Sequence, residues 1–384
     1  MSERKAWLAL EDGSIFEGSW FGCPGEFEGE VVFTTVQTGY QEVLTDPSYR
    51  GQIVVFTQPL IGNYGTFPDD LESPVPQVRG LVVRELCPHP EATAPGQPEL
   101  DRWLARHGVM GLAGTDTRSL TRRLRSLGTL RGVLTCRPKP AHELVDQARR
   151  VPDLAEQDLV GQATVQAPYQ AGSGSGPRVV VLDLGVKRRI VANLVRRGCR
   201  VTVVPAFFTA DEILRLNPDG VVVSNGPGDP AVLHGAVATV RRLMAELPLL
   251  GICLGHQLLA LACGGRTYKL KFGHRGGNHP VQELATGRVS ITTHNHGYAV
   301  DEASLPSDLQ VTHRSLNDGT VEGLAHRHLP VWSVQFHPEA TPGPRDNVHL
   351  FDRFVAVAEA FRRGQPLCDV LAAREAPVGE ARPA

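Results

Sequence analysis

Two hydrophobic patterns follow one another along the chain and predict two kinds of structure. Up to about residue 170, short alternating or apolar segments are separated by glycine-rich turns, which is typical of strands. The predicted strands are 7–10, 14–16, 30–34, 53–57 and 81–83. The first part is therefore predicted to be a β-rich α+β domain.

After Pro177 the pattern changes, because apolar β-branched runs alternate with segments of helical periodicity. A capping box at Thr209–Glu212 begins one of the helices. The other predicted elements are strands 178–184, 200–204, 220–224 and 247–252 and helices 187–197, 231–246 and 254–262. This alternation predicts an α/β fold with a doubly wound, mostly parallel sheet.

A change of composition separates the two patterns. Residues 171–177, AGSGSGP, are rich in glycine and serine and end in proline, which predicts a linker. We therefore assign 1–170 to an N-terminal domain and 178–365 to a second domain. The remaining residues, 366–384, are rich in alanine, proline and charge and are predicted to be disordered.

Composition limits the classes of function. The chain has 384 residues, a formal net charge of −2 and 41% hydrophobic residues. These values favour a soluble globular protein and argue against binding to nucleic acid or an anionic membrane, which select basic surfaces. Residues 1–13 lack the features of a secretory signal, and the seven cysteines include no Cys-x-x-Cys pair. We therefore expect a cytoplasmic protein with reduced thiols.

The most informative stretch is 247–265, LPLLGICLGHQLLALACGG. An apolar strand passes directly into a helix, and Cys253 stands at the turn between Gly251 and Gly255. This is the cysteine counterpart of the Gly-x-Ser-x-Gly nucleophile elbow, and the N-terminus of the helix favours the thiolate. The alternative is an unreactive core cysteine, a common fate of this residue. The five-residue pattern alone leaves both interpretations open.

A cysteine nucleophile needs a histidine base and a group that orients the histidine. The predicted strand 331–336 ends at His337-Pro-Glu339, at the sheet edge where Cys253 emerges. Across the extended residues between them, the Glu339 carboxylate can hold the His337 imidazole in the required tautomer. The sequence thus predicts Cys253, His337 and Glu339 as catalytic residues.

A second loop reaches the same edge. Residues 225–230, NGPGDP, follow the predicted strand 220–224. Gly226 and Gly228 leave room for a ligand and offer backbone N–H groups. An ordinary turn explains a Gly-Pro-Gly segment equally well, so only its position favours a binding role.

Other histidines compete as candidates, because the chain contains fourteen. They include His274, His279, His294, His296, His326 and His328. No zinc motif and no carboxylate at metal-binding spacing accompanies them, so no metal site is predicted and most are expected in loops or at the surface. The sequence also contains no phosphate-binding glycine motif.

Three motifs together resemble the triad-type glutamine amidotransferases: GICLGHQ (251–257), NGPGD (225–229) and FHPE (336–339). Longer motifs narrow the resemblance to the small subunit of carbamoyl-phosphate synthetase, from about residue 7 to residue 361. They are TGYQEVLTDPSY (38–49), IGN (61–63), GTDTR (114–118), KFGHRGGNHP (271–280) and NHGYAVD (295–301).

This resemblance implies hydrolysis of L-glutamine to glutamate and ammonia. Cys253 would form a glutamyl thioester, His337 would transfer protons and Glu339 would orient His337. The backbone N–H groups of Leu254 and Gly226 would stabilise the oxyanion. The residues that would hold glutamine are Ser48, Gly226, Gly228, Leu254, Gln257, Asn295, Gly297 and Tyr298.

The resemblance also implies a partner, the large subunit, which uses the ammonia with bicarbonate and ATP. The product is carbamoyl phosphate for pyrimidine and arginine synthesis. No cofactor is expected in this chain, and ATP and Mg²⁺ are expected on the large subunit. The basic segment 118–131 is predicted to be an amphipathic helix with a solvated face, and contact with the partner is the minor alternative.

Two alternative functions stay open. One is a glutaminase that serves another acceptor enzyme, or a free-standing γ-glutamyl hydrolase, although this leaves residues 1–170 unexplained. The other is a non-catalytic subunit that retains the fold, although the intact set Cys253, His337 and Glu339 argues against it.

Overall fold

The computed structural model describes residues 4–88, 99–366 and 369–371. The chain divides into two compact units: residues 1–159 with 271–276, and residues 160–270 with 277–384. Among the helices of the described residues, none combines the length and apolar composition that a membrane span requires.

The first unit is built mainly from strands. They are β1 (Lys5–Leu10), β2 (Ile15–Gly22), β3 (Glu26–Thr34), β4 (Gln52–Phe56), β5 (Leu60–Ile61), β6 (Gly80–Val82), β7 (Glu85–Leu86), β8 (Met110–Ala113) and β9 (Leu130–Thr135). The helices are α1 (Tyr40–Thr45), α2 (Leu100–Arg106), α3 (Thr117–Leu127) and α4 (Ala141–Arg150). The predicted β-rich α+β character is confirmed.

Seven of these strands close into a barrel in the order β1-β2-β8-β6-β4-β3-β9, while β5 and β7 form a separate pair. Its interior is apolar because alternate strand residues such as Leu8, Val31 and Ile53 turn inward and are fully buried. Val31 and Ile53 are partners in the parallel pairing of β3 with β4. The sequence pattern predicted several of these strands but not their closure.

The basic helix is shorter than predicted. The Asp116 carboxylate accepts a hydrogen bond from the Ser119 N–H at 2.9 Å and caps α3. Gly128, with φ 107°, ends the helix, and the chain enters β9 at Leu130. The predicted helical range 118–131 is therefore wrong after Leu127, because the left-handed glycine stops the helix.

The second unit is an α/β structure around one large sheet. Its strands are β10 (Tyr169–Ala171), β11 (Arg178–Asp183), β12 (Arg200–Pro205), β13 (Gly220–Val223), β14 (Leu249–Ile252), β15 (Arg266–Glu283), β16 (Val289–Asp301), β17 (Leu309–Ser315), β18 (Val321–His326) and β19 (Val331–Val334). Residues 271–276 of β15 are counted with the first unit. The helices are α5 (Leu159–Ala163), which begins one residue before this unit, α6 (Arg188–Arg196), α7 (Ala210–Arg215), α8 (His234–Met244), α9 (Leu254–Ala262) and α10 (His349–Arg362). Thr209 and Glu212 form the predicted capping box at the start of α7.

The sheet has the order β10-β12-β11-β13-β14-β19-β18-β17-β15-β16. From β12 to β19 neighbouring strands are parallel, as the βαβ pattern predicted. Beyond β19, strands β18 and β17 pair antiparallel. This antiparallel half was not predicted. The antiparallel strands, including β16 and β18, belong to the same sheet as the parallel strands.

The division between the units differs from the predicted linker. The units divide between Leu159 and Val160, and Val160 packs in the same apolar core as Leu182. The predicted linker 171–177 lies inside the second unit, where Ala171 pairs with Val201 of β12. Main-chain pairing therefore extends into a stretch whose composition is that of a linker.

The predicted disordered tail, 366–384, lies mostly outside the described residues. Within the described part, Val370 is buried in the apolar core of the second unit, so disorder is wrong for this residue. Its branched apolar side chain gains more from burial than from solvent.

Candidate active site

Cys253 occupies a strained turn between β14 and α9. Its φ of 54° and ψ of −102° lie in a region that non-glycine residues rarely adopt, at a cost of about 1–3 kcal/mol. The Cys253 N–H donates to the Val334 carbonyl at 2.9 Å, which ties the turn to β19. The side chain is buried. The geometry is that of a nucleophile elbow, whereas an ordinary core cysteine needs no such strain.

Two glycines allow the backbone segments around Cys253 to approach closely. A Cβ atom at Gly255 would lie 2.1 Å from the Val223 carbonyl oxygen, so only glycine lets α9 begin against β13. A Cβ atom at Gly226 would lie 2.2 Å from the Leu184 carbonyl oxygen and 2.8 Å from a Leu254 methyl carbon. The loop after β13 therefore lies against the start of α9.

This contact brings together the two residues predicted to form the oxyanion hole. Leu254 is the first residue of α9, and the first N–H groups of a helix have no acceptor within it. The Gly226 backbone lies beside Leu254, since even a single added carbon there would collide with the leucine side chain. Two backbone N–H groups at this point are suited to a developing oxyanion. The role itself stays a prediction.

His337 and Glu339 are paired inside the protein. His337 Nδ1 lies 2.6 Å from Glu339 Oε1, and both side chains are buried. Since a carboxylate accepts, Nδ1 carries the proton and Nε2 is the atom that can exchange one. Burial, the largest single effect, lowers the pKa of His337, but the charge of Glu339 and the interactions with Cys253 together outweigh it and raise the pKa to about 10. The hydrogen bond with Cys253 and the charge of its sulfur both raise the pKa of His337, as Glu339 does.

A buried lysine, which sequence reasoning missed, completes this group. Lys187 Nζ lies 2.9 Å from Glu339 Oε1 and donates to the Ala340 and Thr341 carbonyls at 3.0 and 2.7 Å. Ala340 and Thr341 have φ values of 61° and 54°, so Lys187 bonds to a strained segment. Burial raises the pKa of Glu339, but Lys187 first and His337 second lower it, to about 2.

Lys187 did leave a signal in the sequence. It follows closely after β11, and ligand-binding groups of a parallel sheet collect beyond the carboxyl ends of its strands. Its backbone N–H donates to Asn225 Oδ1 at 3.1 Å, so it also supports the loop that contains Gly226. A lysine at this edge is therefore a candidate on the same grounds as His337.

Several predicted glutamine-binding residues lie around Cys253. Asn295, Gly297 and Tyr298 all belong to β16, and Cys253 Sγ lies 3.7 Å from the Asn295 carbonyl oxygen. Gln257 Nε2 donates to the Tyr298 carbonyl at 2.8 Å and to Gln335 Oε1 at 3.0 Å. The Gln257 amide nitrogen thus holds β16 beside α9, and the part of Gln257 in binding glutamine stays a prediction.

The other two predicted binding residues lie elsewhere. Gly228, with φ 89°, belongs to the same loop as Gly226. Ser48 belongs to the first unit, where it is buried in a short 3₁₀ helix, Pro47–Tyr49, and its N–H donates to Asp46 Oδ1 at 2.9 Å. Its part in binding glutamine stays a prediction.

One expectation about the histidines is wrong. His294 and His296 are neither loop nor surface residues, since both are buried within β16. His274 is buried in a strand as well. The error arose because the pattern of the long strands β15 and β16 was not recognised, and polar residues were assigned to loops.

The class of protein follows from three features together: the strand-to-helix elbow, the histidine–carboxylate pair and the parallel sheet. They are those of a glutamine amidotransferase, and the comparison with known families agrees. Residues 180–357 match the family described as glutamine amidotransferase class-I. Residues 8–134 match the family described as carbamoyl-phosphate synthase small chain, CPSase domain.

Curated relatives agree over most of the chain. The carbamoyl phosphate synthase small chain of Symbiobacterium thermophilum is 55% identical over 91% of this chain and 98% of the relative. The small chain of Syntrophotalea carbinolica is 49% identical over 94% of this chain and 100% of the relative. The pyrimidine-specific small chain of Halalkalibacterium halodurans is 51% identical over 93% and 98%. The chain belongs to the carbamoyl phosphate synthase small chain family, which confirms the resemblance.

Proposed function

We propose that this chain hydrolyses L-glutamine through a thioester at Cys253 and delivers the ammonia to a carbamoyl phosphate synthase large subunit. The observation that carries the proposal is the strained, buried Cys253 beside the His337–Glu339–Lys187 group. Buried charges at this density are costly to keep, and active sites are where such arrangements collect.

The reaction begins with attack on the substrate amide. Cys253 Sγ, as thiolate, bonds to the side-chain amide carbon, while the N–H groups of Leu254 and Gly226 stabilise the oxyanion. The carbon–nitrogen bond then breaks, His337 Nε2 protonates the leaving nitrogen, and ammonia departs. The raised pKa of His337 supports this step, because the imidazolium is the form that donates the proton.

Hydrolysis of the thioester returns the site to its starting state. His337, now neutral, takes a proton from water, and the hydroxide attacks the thioester carbon. The carbon–sulfur bond breaks, glutamate leaves, and His337 again carries a proton beside the Cys253 thiolate. Glu339 holds Nδ1 throughout, and Lys187 holds Glu339.

The acceptor side of the proposal follows the family. The large subunit would combine the ammonia with bicarbonate and ATP to form carbamoyl phosphate, with ATP and Mg²⁺ bound there and no cofactor in this chain. The pathways served would be pyrimidine and arginine synthesis, in the cytoplasm. The match of residues 8–134 to the small-chain family supports this acceptor over others.

The test mixes this chain with a carbamoyl phosphate synthase large subunit, bicarbonate and ATP, with glutamine or ammonium as the nitrogen source. We expect glutamine-dependent carbamoyl phosphate only when this chain is present. Cys253→Ser should abolish that synthesis and keep the ammonium-dependent one. Acid-quenched protein should carry a glutamyl adduct by intact mass.

Two results would revise the proposal in different ways. Glutamate release without carbamoyl phosphate would keep the chemistry at Cys253 and reject the acceptor, which favours a glutaminase for another enzyme. Unchanged glutamine-dependent synthesis by Cys253→Ser would reject the thioester.

A further inference from the structure

A buried glutamine lies beside one of the predicted substrate-binding residues. Gln335 directly follows β19 and has 0% exposure. Its backbone N–H donates to the Glu322 carbonyl at 2.9 Å, so its backbone is fixed against β18. Its side-chain Oε1 accepts a hydrogen bond from Gln257 Nε2 at 3.0 Å. Burial of a polar side chain is unfavourable unless its polar atoms are bonded, so the bonds of Gln335 indicate its role.

The Tyr298 carbonyl determines which way the Gln257 amide is turned. A carbonyl only accepts, so the amide atom 2.8 Å away must be the nitrogen of Gln257. One of the two amide protons of Gln257 points to Tyr298, and the other points to Gln335. The facing atom of Gln335 must then be its oxygen, because its amino group would bring two donors together. One backbone carbonyl therefore determines both amide orientations.

This orientation leaves the amino group of Gln335 without a hydrogen bond. Its Nε2 is buried and has no hydrogen-bond partner among the residues that the structure describes. A buried donor without an acceptor is destabilising, and native structures contain few of them. A methionine, which has a similar length, would avoid the unsatisfied donor. The bond to Gln257 is therefore the feature that explains a glutamine at this position.

The Gln257 amide lies close to the nucleophile. Gln257 belongs to α9 and follows Cys253 by about one helical turn. His337, two residues after Gln335, is hydrogen-bonded to Cys253. The chain after β19 thus contacts the start of α9 at two points, through His337 at the nucleophile and through Gln335 at Gln257.

We infer that Gln335 is a positioning residue that fixes the Gln257 amide and thereby sets the affinity of the site for glutamine. The inference rests on the proposed function, in which Gln257 binds the substrate. Both amide protons of Gln257 are bonded inside the protein, so a ligand can engage this amide only through its oxygen. Without Gln335 one of these bonds is lost and the amide is less firmly held. Binding must then order it, which weakens affinity.

The experiment measures glutamate release by the full chain in the presence of the large subunit. Gln335→Met removes the acceptor and keeps the length of the side chain. We expect KM for glutamine to rise about 5- to 10-fold, the effect of one lost hydrogen bond, while kcat stays within about twofold of wild type. The control Gln166→Met changes an exposed glutamine and should leave both constants unchanged.

A double-mutant cycle separates positioning from a general structural role. Gln257→Met should raise KM at least as far as Gln335→Met, and adding Gln335→Met to Gln257→Met should raise it little further, because Gln335 acts only through Gln257. Thermal stability should change little in Gln335→Met, since the unsatisfied donor of Gln335 is exchanged for one on Gln257. Gln335→Leu replaces Gln335→Met if the latter does not fold.

Binding measured without turnover separates this inference from the proposed function. In a Cys253→Ser chain, calorimetry should show that Gln335→Met weakens glutamine binding by the same 5- to 10-fold factor. If wild type releases no glutamate, the proposed function is wrong, and the binding comparison still decides the role of Gln335. If Cys253→Ser also fails to bind glutamine, both are wrong.

Three further outcomes would overturn the inference. They are wild-type KM and wild-type glutamine affinity in folded Gln335→Met, additive effects of the two substitutions in the cycle, and failure of both Gln335→Met and Gln335→Leu to fold. The last would show that Gln335 is needed for the structure itself.

Discussion

The second unit buries two histidine–carboxylate groups that differ in how their charges are paired. One is His337 with Glu339, and the other is His294 and His296 with Glu322. In the catalytic group, Glu339 lies between His337 and the fixed cation Lys187, with distances of 2.6 and 2.9 Å. In the second group, His294 and His296 turn ring nitrogens toward each other beside Glu322. The first arrangement keeps a proton on His337, as the proposed mechanism requires. The second links two histidines in a chain that ends at the Tyr298 carbonyl.

The comparison shows that residue type and burial alone do not define a role. What separates the groups is the direction of each N–H bond. His337 uses its Nδ1 proton on Glu339, so its Nε2 remains for chemistry beside Cys253. His296 uses its Nδ1 proton on the Tyr298 carbonyl, so its Nε2 faces His294 Nδ1 instead of a catalytic partner.

The largest expected effect comes from changing the catalytic carboxylate to an amide. Glu339→Gln removes the charge that holds the imidazolium, and we expect kcat for glutamine to fall about 10³- to 10⁴-fold. Glutamate release measures this. Glu322→Gln makes the same chemical change in the second histidine–carboxylate group and should keep hydrolysis far closer to wild type. Equal losses in the two variants would erase the distinction between the groups.

Removal of the fixed cation should affect stability most. Lys187→Met leaves Glu339 buried without its lysine and frees the Ala340–Thr341 segment, so we expect the free energy of unfolding to fall by about 3–5 kcal/mol. Chemical denaturation measures it. The control Arg188→Met changes an exposed neighbour and should shift stability by about 0.5 kcal/mol or less. A similar small shift in Lys187→Met would show that Glu339 does not need the lysine.

The pH dependence of stability should follow the catalytic pair. Because the folded pKa of His337 is raised to about 10, its contribution is complete below about pH 6.5 and is lost as pH rises toward 10. The pKa of Glu339 is lowered to about 2, so its contribution is complete above about pH 4.5 and is lost as pH falls toward 2.

We therefore expect the stability difference between wild type and a His337→Asn/Glu339→Gln variant to be greatest between about pH 4.5 and 6.5. Above that window it should shrink by up to about 1.4 kcal/mol per pH unit. Denaturation series at several pH values measure it. A difference that grows from pH 7 to pH 9 would contradict the protonated state of His337.

The smallest effect is expected at an exposed carboxylate. Glu302 pairs with Arg314 at 2.6 Å, and the interaction with Arg314 lowers the pKa of Glu302. Glu302→Gln should change the free energy of unfolding by less than about 1 kcal/mol, because surface ion pairs contribute little. It should also leave glutamine hydrolysis unchanged. A larger loss of stability would show that burial is not what distinguishes the two internal groups.

Much of the second unit could be predicted from the sequence because its signals are local. The apolar run before Cys253, the glycines around it and the helix after it determine the elbow within one short stretch. The capping box at Thr209–Glu212 is equally local, and the structure confirms it. Parallel strand order then places His337 at the same edge as Cys253.

Other features are decided only where distant segments meet. Closure of the first barrel depends on strands far apart in the chain, such as β1 with β9. Lys187 and Glu339 are separated by many residues, and only the folded sheet brings their side chains to 2.9 Å. Glu322 reaches His294 from another strand, so no spacing in the sequence shows a carboxylate beside the histidines.

The α/β class, the nucleophile turn and the family were therefore predictable from the sequence, because periodicity, turn chemistry and motif order are properties of neighbouring residues. Which buried charges share a site, and which nitrogen of His337 carries a proton, became visible only in the folded chain. The physical reason is that both depend on distances between residues remote in the chain and on hydrogen-bond acceptors that only folding supplies.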